Sequence, residues 1–292
     1  MIKIASEHSY PLGSTVALVN LCNQLNARGY SCVFYGPDYW HMDKCRSGKL
    51  QDFKPEDGDI VLLHDIEILS FTDLYSLSTL TSAGNKNNIW KKLKCMIADS
   101  FFPAPRQEKF RLFLTCQQDD SYRKIATRYS LFDKIHFASK AQNNYSKWPK
   151  FYCQNFLADL KPSPTKPDKV AGIIGSIDKD SGTAQAIEMA LQDGMNTVIL
   201  YGYLAAPIYF YEEIIPLTKT YPGKIKFAGF LDNQQQMYDS VSDVYSSVSK
   251  PWSTVRRECI LTNTRFHCPE VCTDENMTND SIFEVWKNEL EL

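Results

Sequence analysis

Short apolar runs alternate with longer amphipathic stretches along this chain. Ile2-Lys-Ile-Ala5 is the first such run and reads as a buried strand. A loop from His8 to Ser14 follows. Thr15–Arg28 then places Val16, Val19, Leu21 and Leu25 where they suit one face of a helix, and Gly29 ends it. Cys32–Tyr35 is the next strand. Strand, loop, helix and strand in this order build a parallel sheet. The unit recurs: Asp59–His64, Cys95–Ala98 and Lys134–Ala138 read as strands, followed or closed by polar residues at His64-Asp65, Asp99-Ser100 and Ser139. In open parallel sheets, ligands bind at that carboxyl edge.

The stretch from Leu160 to Lys169 holds three prolines and three lysines in ten residues and is the best linker candidate. Beyond it the pattern restarts. Strands are expected at Val170–Ile174, Thr197–Tyr201, Ile225–Phe227 and Val244–Val248. Helices are expected at Thr183–Leu191, Tyr209–Thr218, Asn233–Val241 and from Val255 to Leu261. A short amphipathic helix from Ser281 to Leu292 closes the chain, with Ile282, Val285, Trp286 and Leu290 on its apolar side. The expected organisation is therefore two α/β halves, residues 1–164 and 165–280, followed by a C-terminal helix at 281–292.

Composition narrows the function classes. At 292 residues with 43% hydrophobic and 13% aromatic side chains, the chain can fill two cores. The formal net charge of -2 gives no sign of nucleic-acid binding. Nine cysteines, none in a Cys-x-x-Cys pair, read as reduced thiols of a cytoplasmic protein. Cys259, His267, Cys268 and Cys272 are close in sequence, but a zinc site is not the favoured reading. The N-terminus lacks the pattern of a signal peptide, and no apolar run of about 18 residues exists. A soluble cytoplasmic protein is expected, with peripheral membrane contact left open.

Particular segments carry a resemblance. They are Ile2–Ala5 with Pro11-Leu-Gly-Ser14 and the helix from Leu18 to Tyr30, Val170–Ile177, Gly223–Leu231, and Met237–Val244. In these segments the chain resembles the GT-B glycosyltransferases, and is similar to their retaining family 4. The resemblance implies two Rossmann-like domains facing each other across a cleft. It implies an acceptor domain first and a nucleotide-sugar donor domain second. Glu258 falls at the second glutamate of that family's Glu–seven residues–Glu motif, whereas the first position is Lys250. The family's basic pair after the first donor glycine is replaced by Ser176 and Ser181, with Lys179 between them.

Transfer from a nucleotide sugar needs stabilisation of charge growing on the diphosphate. The resemblance implies a helix N-terminus with basic side chains as the device, without metal or other cofactor, although Asp57-Gly-Asp59 and Asp178-Lys-Asp180 both read Asp-x-Asp. Free N–H groups of Ser253 and Thr254, with Arg256, Arg257 or Lys250, could face the diphosphate of a UDP- or GDP-sugar. The resemblance implies that Glu258 binds the ribose hydroxyls and that the segment Phe227–Leu231, with Phe230 and Leu231, brackets the base mostly through backbone groups. Gly175 and Ser176 would approach the phosphates, and Tyr201 and Gly202 would line the donor site, while Phe227 reads as ordinary strand packing. In the first half, Gly13 and Ser14 would lie near the donor or acceptor, and His64 or Asp99 could orient an acceptor hydroxyl. The acceptor class stays open among glycans, lipid-linked glycans and proteins, and so does the oligomeric state. Neither first loop reads Gly-x-Gly-x-x-Gly, and the Gly-x-Ser-x-Gly turn and the Gly-Lys-Ser/Thr phosphate loop are both missing. The remaining rivals are a degenerate, non-catalytic GT-B protein and an inverting enzyme with Asp99 or His64 as base.

Overall fold

The computed structural model describes residues 1–8, 13–37, 40–64, 110–116, 132–142, 149–250, 253–269 and 276–292. The expected strand Cys95–Ala98, with Asp65, Asp99 and Ser100, lies outside them. The chain divides into two compact units. One holds Met1–Tyr10, Ser14–Asn155 and Met277–Leu292; the other holds Pro11–Gly13 and Phe156–Asn276.

The first unit is built on a parallel sheet of β1 (Ile2–Ala5), β2 (Cys32–Gly36), β3 (Ser47–Lys49), β4 (Ile60–His64), β5 (Arg111–Cys116), β6 (Lys134–Phe137) and β7 (Lys150–Tyr152). The order is β3-β2-β1-β4-β5-β6-β7. Ile2 pairs with Cys32 on one side and Ile60 on the other, which makes β1 a central strand. β5 is also central, between β4 and β6. The sequence pattern did not yield it, although Leu112, Phe113, Leu114 and Cys116 are buried. Lys3 sits in the interior at 3% exposure. Its ammonium is matched by Asp59 at 2.6 Å and the Lys54 carbonyl at 2.7 Å, and Asp59 also takes the N-terminal amine at 3.2 Å. A charge so buried needs this pairing.

Helix α1 (Gly13–Ala27) buries Thr15, Ala17, Leu18, Val19, Leu21, Cys22 and Leu25. Gly29 follows at φ 87, and the Gly29 and Tyr30 N–H groups close the helix end on Asn26 and Leu25 carbonyls. That is a left-handed C-terminal cap.

The second unit has the parallel order β10-β9-β8-β11-β12. The strands are β8 (Val170–Ile174), β9 (Thr197–Tyr201), β10 (Ile225–Gly229), β11 (Asp243–Tyr245) and β12 (Arg265–His267). β11 ends at Tyr245 rather than at Val248, because the chain turns there and the Ser246 hydroxyl donates to the Val248 carbonyl at 2.8 Å. Helix α2 (Thr183–Gln192) and the helical segment α3 pack in one core with Ala171, Val198 and Leu200. α3 runs as α-helix over Pro207–Tyr209, as π-helix over Phe210–Ile214 and as α-helix over Ile215–Thr220. The widened turn lies just before Pro216, whose ring would clash with the carbonyl four residues back in a regular α-helix. Helices α4 (Gln234–Asp239) and α5 (Val255–Leu261) form a second core through Met237, Tyr238 and Cys259, with Tyr201, Val241 and Val244.

The proline- and lysine-rich stretch is fastened to this unit. The Lys161 N–H reaches the Gln235 side chain at 2.8 Å, and the Ser163 hydroxyl donates to Asp239. Lys166 spends all three ammonium hydrogens, on Ser163 Oγ, the Tyr238 carbonyl and Thr264 Oγ1, at 2.7–2.9 Å.

Helix α6 (Asn279–Glu289) belongs to the first unit. Thr278 caps it by accepting from the Ser281 N–H at 3.2 Å. Trp286 lies 4.5 Å from the His136 ring and edge-on to Phe151 at 5.2 Å. Arg28 pairs with Asp280 at 2.7 Å and stacks over Phe283, while Lys134 meets Glu289 at 2.8 Å. Among the described residues, no helix is long and apolar enough to cross a membrane.

Candidate functional site

In the second unit the winding reverses between β8 and β11, and the crevice outside the carboxyl ends at such a reversal is where open α/β sheets hold ligands. Three neighbouring strands end there in glycine. Gly175, Gly202 and Gly229, evenly spaced in the sequence, follow or close β8, β9 and β10 at φ 141, 147 and 71. The Gly175 N–H donates to the Tyr201 carbonyl and the Gly202 N–H to the Gly229 carbonyl, both at 2.9 Å. A Cβ on Gly202 would stand 1.7 Å from the Gly175 carbonyl oxygen, whereas one on Gly175 meets nothing within 4 Å. The result is a floor of bare backbone along the edge. Sequence reasoning picked Gly175 and Gly202. It placed Gly229 only within the Phe227–Leu231 segment expected to bracket the base, although its even spacing with the other two was there to be read.

The loops after β8 and β11 meet over this crevice. The Ser247 hydroxyl donates to the Gly182 carbonyl at 2.8 Å, and Gly182, at φ 61, has no room for a Cβ beside it. Lys250 Nζ donates to Ser181 Oγ at 3.1 Å, and Ser181 Oγ shares a 2.8 Å hydrogen bond with Ser176 Oγ. The Ser181 N–H donates to Asp178 at 2.6 Å. Burial pulls the Asp178 carboxyl upward, but bonds from Ser176 and Ser181 and the Lys250 charge outweigh it and hold it below its ordinary range. Asp178 and Ser247 were missed because nothing in the local sequence tells which residue a loop will meet across the crevice. Lys179 is exposed on the same loop.

The loop into α5 differs from expectation. The Ser253 N–H is taken by the Lys250 carbonyl at 2.9 Å, and Ser253 Oγ accepts from the Val255 N–H at 3.3 Å. The Ser253 N–H is therefore not open to a diphosphate in this conformation. Thr254, at the N-cap, makes no side-chain cap bond. Glu258 is 3% exposed and accepts from the Tyr238 hydroxyl at 2.5 Å. Burial pushes its carboxyl above the usual range, and the bonds from Tyr238 and Thr254 and the Arg257 charge only moderate that rise. Arg257 is itself buried, beside this carboxylate in the first turn, whereas Arg256 is partly exposed.

Tyr201 turns its side chain into the core, where its hydroxyl meets Ser240 Oγ at 2.6 Å, so only its backbone belongs to the edge. Phe230 and Leu231 follow Gly229 and are partly buried. Phe227 is not packed in the strand interior as expected: it is 51% exposed on the edge strand and touches Phe210 at 5.8 Å between ring centroids.

In the first unit, His64 ends β4 with no exposed surface, its Nδ1 2.8 Å from Ser6 Oγ. The His8 ring packs on it at 4.8 Å. Gly13, which groups with the second unit, opens α1 exposed, and a Cβ there would meet nothing within 4 Å; Ser14, in the first unit, is partly exposed.

Comparison with solved structures places this architecture. HepE from Anabaena, solved with UDP and glucose, has a TM-score of 0.61 at 12% identity over 99% of this chain and 89% of that one. An alpha-glucosyltransferase in complex with UDP has a TM-score of 0.59 at 10% identity, over 91% and 80%. The fold is GT-B. The apo form of the lipopolysaccharide outer core galactosyltransferase WaaB agrees at a TM-score of 0.51 and 10% identity, over 97% of this chain and 87% of that one. No protein-family model matches the sequence, and no curated protein matches it. Within a GT-B frame, the bare glycine edge and the Lys250–Ser181 bridge stand in the second, C-terminal unit. The arrangement can receive an anion: backbone approaches it without side chains, and an ammonium stands beside it.

Proposed function

We propose that the chain transfers a sugar from a nucleotide sugar to a hydroxyl acceptor. The observation that carries this reading is the crevice of the second unit, floored by Gly175, Gly202 and Gly229 and bridged by Lys250. The complexes of HepE with UDP-glucose and of the alpha-glucosyltransferase with UDP support a UDP-sugar as the first donor to test, with a GDP-sugar next. Lys250 would turn from Ser181 to the diphosphate, with Arg256 or Arg257 adding charge. Phe230 and Leu231 would flank the base, and Glu258 would reach the ribose by releasing Tyr238. Retention of configuration and transfer without metal are the finer parts of the proposal, and they rest on the resemblance to the retaining family.

Two observations favour a second reading, a nucleotide-sugar-binding protein without catalysis. Lys250 replaces a glutamate of the resembled family, and Glu258 is already satisfied inside the core. The test is a thermal-shift panel of UDP, UDP-glucose, GDP and GDP-sugars with and without EDTA, followed by a UDP-release assay. A donor at 100 times its Kd adds about 2.7 kcal/mol of stability. An EDTA-insensitive shift with acceptor-dependent UDP release supports transfer. A shift without release supports the binding protein, and no shift at all sinks both.

A further inference from the structure

We infer that His8 is the imidazole that the first unit presents to the acceptor hydroxyl, with Ser6 and His64 as its mount. This rests on the transferase reading. The three residues gather at the carboxyl ends of neighbouring strands, Ser6 just after β1 and His64 at the end of β4. Ser6 and His64 are both wholly buried and bonded to each other at 2.8 Å, so neither can meet a substrate. A Ser–His hydrogen bond otherwise suggests a nucleophile with its base, but a nucleophile without exposed surface has nothing to attack. His8 is the member that is partly exposed.

Its position is fixed twice. The His8 N–H donates to Ser6 Oγ at 3.2 Å, which sets the backbone, and the ring packs on His64 at 4.8 Å with the planes 56° apart, which sets the side chain. Ser6 Oγ serves both contacts, so it ties the backbone of His8 to the ring that supports it. A group held this way loses little entropy when it engages a ligand. An imidazole nitrogen at the ligand-binding edge of a parallel sheet can accept the hydrogen bond of a hydroxyl and orient its oxygen. No covalent bond to the protein is involved.

The experiment measures UDP release from UDP-glucose, with water or octyl glucoside as acceptor, for the wild type, His8→Ala, His8→Gln, Ser6→Ala and His64→Gln. The expected result is a His8→Ala variant whose KM for UDP-glucose stays within about twofold while kcat falls by about 10²-fold. Added imidazole restores part of that loss, and His8→Gln retains more of kcat than His8→Ala. Ser6→Ala and His64→Gln lose activity that imidazole does not restore, because their imidazole is present but unmounted. Wild-type kcat in His8→Ala overturns the inference, and so does a loss that imidazole leaves unchanged. If the wild type gives neither a thermal shift nor UDP release, the transferase reading falls and takes this inference with it. If the wild type transfers and only the His8 results differ from expectation, the inference alone falls.

Discussion

His136 shows how completely one side chain can be committed to the interior. Its ring nitrogens lie 2.8 Å from Thr115 Oγ1 and 2.8 Å from the Cys153 carbonyl, and Phe151 and Trp286 cover its faces. Burial lowers its pKa from the ordinary 6.5 to about 4, against the bond to the Cys153 carbonyl. Between those values the unfolded chain takes up a proton that the native one refuses. Stability therefore falls as pH drops through that window, by up to about 3 kcal/mol. Urea unfolding at pH 7 and pH 4.5 should show the slope, and His136→Gln should flatten it. In the second unit, Tyr238→Phe removes the donor of a carboxylate that has almost no access to water. A loss of about 1–3 kcal/mol is expected in chemical denaturation. If Glu258 is freed to serve a nucleotide, the same variant should bind UDP no more weakly than the wild type. At this scale the sequence was only partly informative. It singled out Glu258 and Lys250, yet it could not show that Tyr238 already holds the one or that Asp178 attracts the other. Those contacts join residues far apart in the chain, and no local pattern encodes them.

At the scale of elements, most of the second unit was legible, because its strands are short apolar runs bounded by glycine or polar residues. Val170–Ile174 and Thr197–Tyr201 stand where the pattern put them, as does α5. Three strands escaped notice in regions the pattern left blank, β3, β7 and β12, each only three residues long. β5 escaped for a different reason: a central strand covered on both faces has no alternation to betray it. In α1 the buried set includes Thr15, Leu18 and Cys22 beside the expected Val19, Leu21 and Leu25, while Val16 is only half-buried. A helix apolar on most sides has no clear stripe. The glycine edge makes a sharp prediction. Gly202→Ala must accept both a left-handed φ and a clash with the Gly175 carbonyl, so it should cost at least about 2 kcal/mol and weaken nucleotide binding. Gly175→Ala is strained by its φ alone and should be the milder change, and a thermal melt of the two variants side by side decides this.

At the scale of the whole molecule, the sequence pattern implied two α/β halves and the family resemblance implied the GT-B fold, but neither showed where the last helix would go. Its amphipathic face was plain, and its partner was not. Ile282, Phe283 and Trp286 are buried in the unit that begins at the other end of the chain. Deleting residues 277–292 removes Trp286 from His136 and Phe151, along with the ion pairs to Arg28, Lys134 and Arg111. The loss of one such aromatic alone costs about 3–5 kcal/mol. Hydrogen exchange should then show β6 and β7 unprotected while β8 and β9 stay protected. Equal loss of protection in both units would contradict the division drawn here.

The same crossing of the chain sets an order of birth. Residues 156–276, nearly all of the second unit, leave the ribosome as one continuous segment and can fold while translation continues. The first unit, though begun earlier, must wait with His136 and Phe151 uncovered until residues 277–292 emerge. The half that is made first is thus the half that is finished last, and in the interval it is the natural client of a chaperone.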